Sequence, residues 1–411
     1  MNNIRNLKNT LTLNYVFLIL GNSTSKLGTV IYQTILAWWL VEKTDSAKAF
    51  GYISFASLLP IVLFNFFSGV IVDKFNRKKL LIISDIVSGL TCISIAYIAF
   101  LDIINIPLLI LASFLLGASS AIFGPASKAI LPEIVNKDSV ANCNSITSTI
   151  GQIIGIAAPM IAGFLLKDFS IGIAFIFLIN GLTFLISALC ESFLKYNFSK
   201  TKNKKDTYWS ALKEGFHYTK KHKWLINLLI VSAIVNIFIA PYNVLLPLYL
   251  KRAYLDNIFL YSQSLTAEAI GGVLGGMMIL FSKNKISNQK MLATNIFFCG
   301  LSAIFMQVFI NKYILLISIF SFSLFLTRFN VLFFSLVQTT VEKNMLGRVF
   351  SIIIMISLST MPISNLIFGY LGDYMLDYVY IMSGIGICFA SMLSILNFNL
   401  KPKAYKNSLS D

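Results

Sequence analysis

Residues 171–190 read IGIAFIFLINGLTFLISALC, twenty positions without one acidic or basic side chain. That is the length a helix needs to cross the hydrocarbon of a bilayer. The run is continuous rather than alternating, which excludes a strand of a membrane barrel. In lipid a backbone must satisfy its own hydrogen bonds, so the segment reads as a spanning helix. Directly after it, residues 191–223 carry nine lysines. Outward from this boundary, further apolar runs fill the chain on both sides. Five precede it, at 14–40, 50–72, 80–101, 107–123 and 141–166. Six follow, at 224–250, 258–281, 291–310, 313–337, 349–371 and 378–396.

The bulk composition agrees. Of 411 residues, 57% are hydrophobic and 12% charged, about half the charged fraction of a soluble domain. The expectation is an all-α membrane protein with twelve transmembrane helices in two pseudo-symmetric six-helix bundles. Expected domains are 1–193 for the first bundle, 194–223 for a basic linker, 224–398 for the second bundle and 399–411 for a tail. The first run exceeds a signal-peptide core and has no small-residue cleavage site after it, so it is expected to remain as helix 1.

The formal charge of +16 on a soluble chain would point to nucleic acid. Here its distribution decides. With the N-terminus in the cytoplasm, 25 Lys and Arg fall on that side and six outside: Lys43, Lys48, Lys167, Lys251, Arg252 and Lys312. This asymmetry predicts a plasma-membrane protein with both termini cytoplasmic, and argues against a nucleic-acid partner. Within the linker, residues 200–206 read as disordered, and 208–222 as an amphipathic helix on the inner membrane surface. Anionic lipid suffices to explain its lysines.

The five cysteines are scattered singly with no C-x-x-C pair, and both histidines, His217 and His222, lie in the linker. Neither a metal site within the membrane nor a redox pair is expected. No G-x-x-x-x-G-K-[ST] occurs, so no cofactor or nucleotide is expected, and no enzymatic activity. A membrane-embedded transferase would need carboxylates or histidines in a loop at the membrane face, and the longest loop is lysine-rich.

Three charges stand where lipid disfavours them. Lys26, Glu268 and Arg328 fall roughly 15 to 23 Å along the first, eighth and tenth runs. A mid-membrane charge costs at least about 2.5 kcal/mol, so these groups are expected to face a wet cavity or to pair with one another. Glu268 is the only carboxylate near a helix centre and the candidate for proton coupling. Gln33, Asn236, Tyr242 and Asn243 are candidates to line the same pathway, with ordinary helix packing as the alternative for each. Asp85 reads as a structural partner for nearby basic residues.

Two small-residue patterns recur. Gly271, Gly272, Gly275 and Gly276 suit close helix packing. In the fifth run Gly151, Gly155, Pro159 and Gly163 fall four apart, on one face. The proline removes a backbone hydrogen bond, so this face suits either a hinge or static packing. An offset of 206 residues also aligns Val135, Lys137, Ser145, Ile146, Gly163 and Leu165 with Val341, Lys343, Ser351, Ile352, Gly369 and Leu371. This favours duplicated halves, a plan common in transporters.

Between the second and third runs stands Gly69-Val-Ile-Val-Asp73-Lys74-Phe75-Asn76-Arg77-Lys78-Lys79. This resembles the signature loop of the major facilitator superfamily: glycine, three residues, aspartate, then a basic cluster. Lys74 stands where the family has arginine, and Asn76 where it has glycine, a residue tolerant of the left-handed conformation. The resemblance implies that Gly69, Asp73, Arg77 and Lys78 form a conformational latch. The fifth-run pattern is similar to the family's antiporter motif. Residues 40–47 (LVEKTDSA), 123–133 (FGPASKAILPE) and 212–216 (LKEGF) resemble the branch that includes macrolide, drug and siderophore exporters. The resemblance implies a secondary transporter that exports an amphipathic small molecule by alternating access, with a proton as the expected coupling ion. A lipid or lysophospholipid flippase and an importer of the same fold remain alternatives.

Overall fold

The computed structural model describes residues 12–136, 139–169, 172–196, 208–254, 257–280, 289–342 and 345–396. The expected disordered stretch 200–206 and the tail 399–411 lie outside them. Thirteen helices run through the described residues. They are α1 Leu13–Thr44, α2 Lys48–Lys74, α3 Arg77–Phe100, α4 Ile106–Ile134, α5 Val140–Phe169, α6 Ile173–Ser192, α7 Tyr208–Lys221, α8 Lys223–Ala253, α9 Ile258–Leu280, α10 Gln289–Val308, α11 Lys312–Thr340, α12 Leu346–Met375 and α13 Val379–Leu396. Eight of them meet the length and apolarity needed to cross a membrane. The chain is an all-helical, multi-pass membrane protein.

Local chemistry sets several helix starts. The Thr12, Asn105 and Asn311 side chains accept from the backbone N–H groups of Tyr15, Leu108 and Tyr313, satisfying donors that a helix leaves open. Asn76 does the same for Lys79 at 3.2 Å. Its φ is −64°, so the asparagine in the signature loop caps α3 and does not take the left-handed conformation expected of it.

The chain forms two compact units. The first comprises Met1–Asp45 and Tyr52–Asn203, the second Ser46–Gly51 and Lys204–Asp411. In the first, α3 packs against α6 with backbones close enough that a Cβ on Gly89 would lie 3.1 Å from the Gly181 carbonyl oxygen. In the second, Gly271 and Gly275 of α9 face α11, where any Cβ would collide with the carbonyls of Phe320 and Leu324. The helix-packing reading of these glycines is the one the structure supports. Also within the second unit, Asp373 accepts from the Ser46 hydroxyl at 2.6 Å and the Ala47 N–H at 3.1 Å.

Two further differences from the sequence reading have physical causes, and one feature follows it. Helix α4 continues through Pro125 and Pro132 to Ile134, because Ala126, Ile130 and Ile134 keep one face buried. The amphipathic α7 packs against the start of α12. Its Glu214 pairs with Arg348 at 2.5 Å, and Gly215 lets the two helices close on the Arg348 carbonyl. Finally, α5 and α12 are each 30 residues long, and their bounds differ by the 206 residues seen in the sequence alignment.

Candidate functional site

In the first unit, Lys26 stands on an exposed face of α1 and its Nζ donates to the Gly151 carbonyl of α5 at 3.2 Å. A Cβ at Gly151 would sit 2.7 Å from Nζ, a contact the flexible lysine side chain can relieve by moving its end. Gln33 is exposed two turns further along α1. On α5, Pro159 is buried within the helix, and a Cβ at Gly155 would meet nothing within 4 Å. Gly155 therefore faces open space and is not an element of tight packing.

In the second unit, Glu268 is half-buried on α9. The Tyr242 hydroxyl of α8, on a residue only 4% exposed, donates to its Oε2 at 2.9 Å. The Tyr242 ring also packs against Phe322, with centroids 5.2 Å apart, so the hydroxyl is held toward the carboxyl. Asn243 follows, half-buried, and Asn236 turns its amide back to the Ser232 carbonyl at 3.0 Å. Arg328 of α11 donates from Nε to Oδ1 of the buried Asn295 on α10 at 3.0 Å.

Within the second unit, Glu268 and Arg328 form no ion pair with each other among the described residues. Each of the three charges meets one neutral group: a backbone carbonyl for Lys26, a phenol for Glu268 and an amide for Arg328. Sequence reading singled out the charges and Tyr242 but not Asn295, which has no charge or motif to mark it.

At the signature loop, Arg77 pairs with Glu133 of α4 within the first unit. Tyr196 donates to the other Glu133 oxygen at 2.6 Å. Burial, followed by its bond to Glu133, pushes the Tyr196 phenol up to about 12. Lys78 Nζ donates to the carbonyls of Ser192 and Leu194 at 2.7 and 2.8 Å. The surroundings of Gly69 and the side chain of Asp73 lie outside what is described. Asp85, expected to partner a basic residue, has no such partner among the described residues, because Arg77 and Lys78 are bound to these other groups.

Residues 12–410 match the family described as transmembrane secretion effector. The chain belongs to this family, within the major facilitator superfamily. It is similar to macrolide efflux protein A of Streptococcus pyogenes, at 23% identity over 92% of this chain and 94% of that one. It is similar also to the staphyloferrin A transporter of Staphylococcus aureus, at 27% identity over 92% of this chain and 94% of that one. Among solved structures, the nucleoside transporter NupG superposes with a TM-score of 0.78 at 12% identity, covering 94% of this chain and 100% of that one. A bacterial homologue of the iron transporter ferroportin gives 0.72 at 17% identity, covering 94% and 98%. These two show the fold alone. The secretion effector is a membrane transport protein of the major facilitator fold, with efflux proteins among its relatives.

Proposed function

We propose that this transporter exports an amphipathic small molecule of the drug, macrolide or siderophore type by alternating access, driven by exchange for protons. The observation that carries the reading is the Tyr242–Glu268 pair: a carboxyl midway along the apolar helix α9, held by one hydroxyl and forming no ion pair among the described residues. Such a carboxyl can load a proton from one side of the membrane and discharge it to the other. The tyrosine keeps it in place in both charge states, since a phenol can donate to a carboxylate or accept from a carboxylic acid. The names of the macrolide and staphyloferrin relatives support the cargo class. With no nucleotide motif in the chain, the energy is taken from the ion gradient, about 2.3 kcal/mol per charge across 100 mV. Gly69, Asp73, Arg77 and Lys78 act as the latch, and the α5 face from Gly151 to Gly163 as the hinge.

A panel of macrolides, siderophores, cationic drugs and labelled lysophospholipid, offered to everted vesicles with and without a proton gradient, tests this reading. Gradient-dependent uptake of a drug or siderophore, lost in Glu268→Gln, is the expected result. Uptake by Glu268→Gln that still follows the gradient removes Glu268 from coupling. Uptake of lysophospholipid alone makes the protein a flippase, and movement only in right-side-out vesicles makes it an importer.

A further inference from the structure

Asp85 of α3 and Glu191 of α6 meet inside the first unit, where those two helices pack together. Asp85 is 2% exposed and Glu191 0%, and the carboxyls lie close enough to act on each other's charge. Ser187, one turn before Glu191 and also 0% exposed, holds its hydroxyl beside Asp85. Four oxygens of this cluster are sealed from solvent without a hydrogen-bond partner: Asp85 Oδ2, Glu191 Oε1, Glu191 Oε2 and Ser187 Oγ. Gly21 of α1 packs against Ser187, where a Cβ would stand 3.0 Å from Oγ and 3.2 Å from the carbonyl oxygen.

Buried polar atoms are almost always paired, and each exception calls for an explanation. Two carboxylates in one dry site are harder to explain still, because each desolvated charge needs compensation. The nearby cations do not supply it. Arg77 is paired with Glu133, and Lys78 is bound to the carbonyls of Ser192 and Leu194. Among the described residues no Lys, Arg or His forms an ion pair with Asp85 or Glu191.

We propose that Asp85, Glu191 and Ser187 form a binding site for a divalent cation of the calcium type. The cluster's formal charge of two is balanced by one divalent ion. All the orphaned atoms are oxygens, which favours a hard cation over zinc or copper, whose preferred ligands are nitrogen and sulfur. Calcium accepts irregular oxygen cages and bidentate carboxylates, whereas magnesium demands near-ideal octahedral geometry and gives up its water reluctantly. The bound ion ties α3 to α6 inside one unit and is a resident group, not cargo. The proposal stands apart from the cargo and from Glu268.

The test uses the full-length protein in nanodiscs of neutral lipid, stripped with a chelator. Retained calcium is measured by equilibrium dialysis, and the unfolding midpoint is followed with calcium, magnesium or sodium added. The expected result is one calcium per chain and a higher midpoint with calcium alone. Asp85→Asn and Glu191→Gln keep the shape and remove the charge. Each should weaken binding by at least about tenfold, the loss that a supporting residue alone brings. Glu268→Gln should leave binding unchanged. The proposal is overturned if the native protein retains no calcium or if both variants bind as it does. It is equally overturned if the midpoint follows pH but not calcium, for then shared protons alone hold the pair. Gel filtration of each variant separates lost binding from lost folding.

Discussion

Neighbouring glycines on α9 should respond in opposite ways to the same added methyl group. At Gly275 the new Cβ of an alanine would collide with the Leu324 carbonyl oxygen and lie 3.0 Å from both the carbonyl carbon and the Cα of Leu324. Ordinary carbon contacts need about 3.5 to 4.0 Å, so α11 would have to retreat by about 0.5 to 1 Å. The obstacle is backbone and cannot rotate away. At Gly276 the methyl would meet only Thr327 Cγ2, at 3.9 Å. Both substitutions change glycine to alanine in one helix, so their shared effect on helix propensity cancels in the difference. What remains is the overpacking cost, about 1–3 kcal/mol. Gly275→Ala should therefore unfold that much more easily than Gly276→Ala in a denaturant titration of the purified protein in micelles. Equal stabilities would refute the claim that α9 and α11 are joined through Gly275.

Other substitutions address the site and the loop. Gly155→Ala adds a methyl to open space, so stability should hold while transport slows if α5 bends there; unchanged vesicle transport removes the hinge. Tyr242→Phe loses one hydrogen bond to Glu268, about 1 kcal/mol of stability, and should alter the pH profile of transport without abolishing cargo binding. Asn295→Leu removes the partner of Arg328 and should cost about 1–3 kcal/mol, read from the same denaturant titration. The Tyr196 phenol is pushed up to about 12 in the folded protein, against about 10 unfolded. Above pH 10 the unfolded chain therefore binds fewer protons than the native one, and stability falls as pH rises from 10 towards 12. Tyr196→Phe should flatten that part of the alkaline curve, and an unchanged curve would place the loss elsewhere.

The spans were legible because lipid imposes one requirement, a long apolar run, and the chain meets it repeatedly. Their ends were less so. Residues 123–133 contain two prolines, a serine and a lysine and read as the end of a span, yet α4 continues because every fourth residue from Ala126 stays buried. The three charges inside apolar runs were visible as exceptions to apolarity. Their partners were not, since a backbone carbonyl, a phenol and an amide leave no trace in a charge count and lie 125, 26 and 33 residues away in sequence. Asp85 was misread because basic residues precede it, whereas they point to carbonyls and to Glu133. Glu191 was left just past the span ending at residue 190, because a charge after an apolar run resembles a boundary. It is instead in the last turn of α6, facing inward.

The neutral partners of the three charges also bear on mechanism, through what they leave unsatisfied. A guanidinium has five N–H donors and an ammonium three, while a carboxylate offers about four acceptor positions. Arg328 uses one donor on Asn295, Lys26 one on Gly151 and Glu268 one acceptor position on Tyr242. Had each charge been held in an ion pair, most of this capacity would be spent and the groups fixed as structural pairs. Among the described residues most of it is not spent on these partners and, on the proposed reading, is available to water or to polar groups of a passing molecule. Hydrocarbon supplies neither, and a charge left against it costs at least about 2.5 kcal/mol. One neutral hydrogen bond orients such a group without neutralising it. On the proposed reading the charge stays able to change partners, a property that a transport pathway needs and a static scaffold does not.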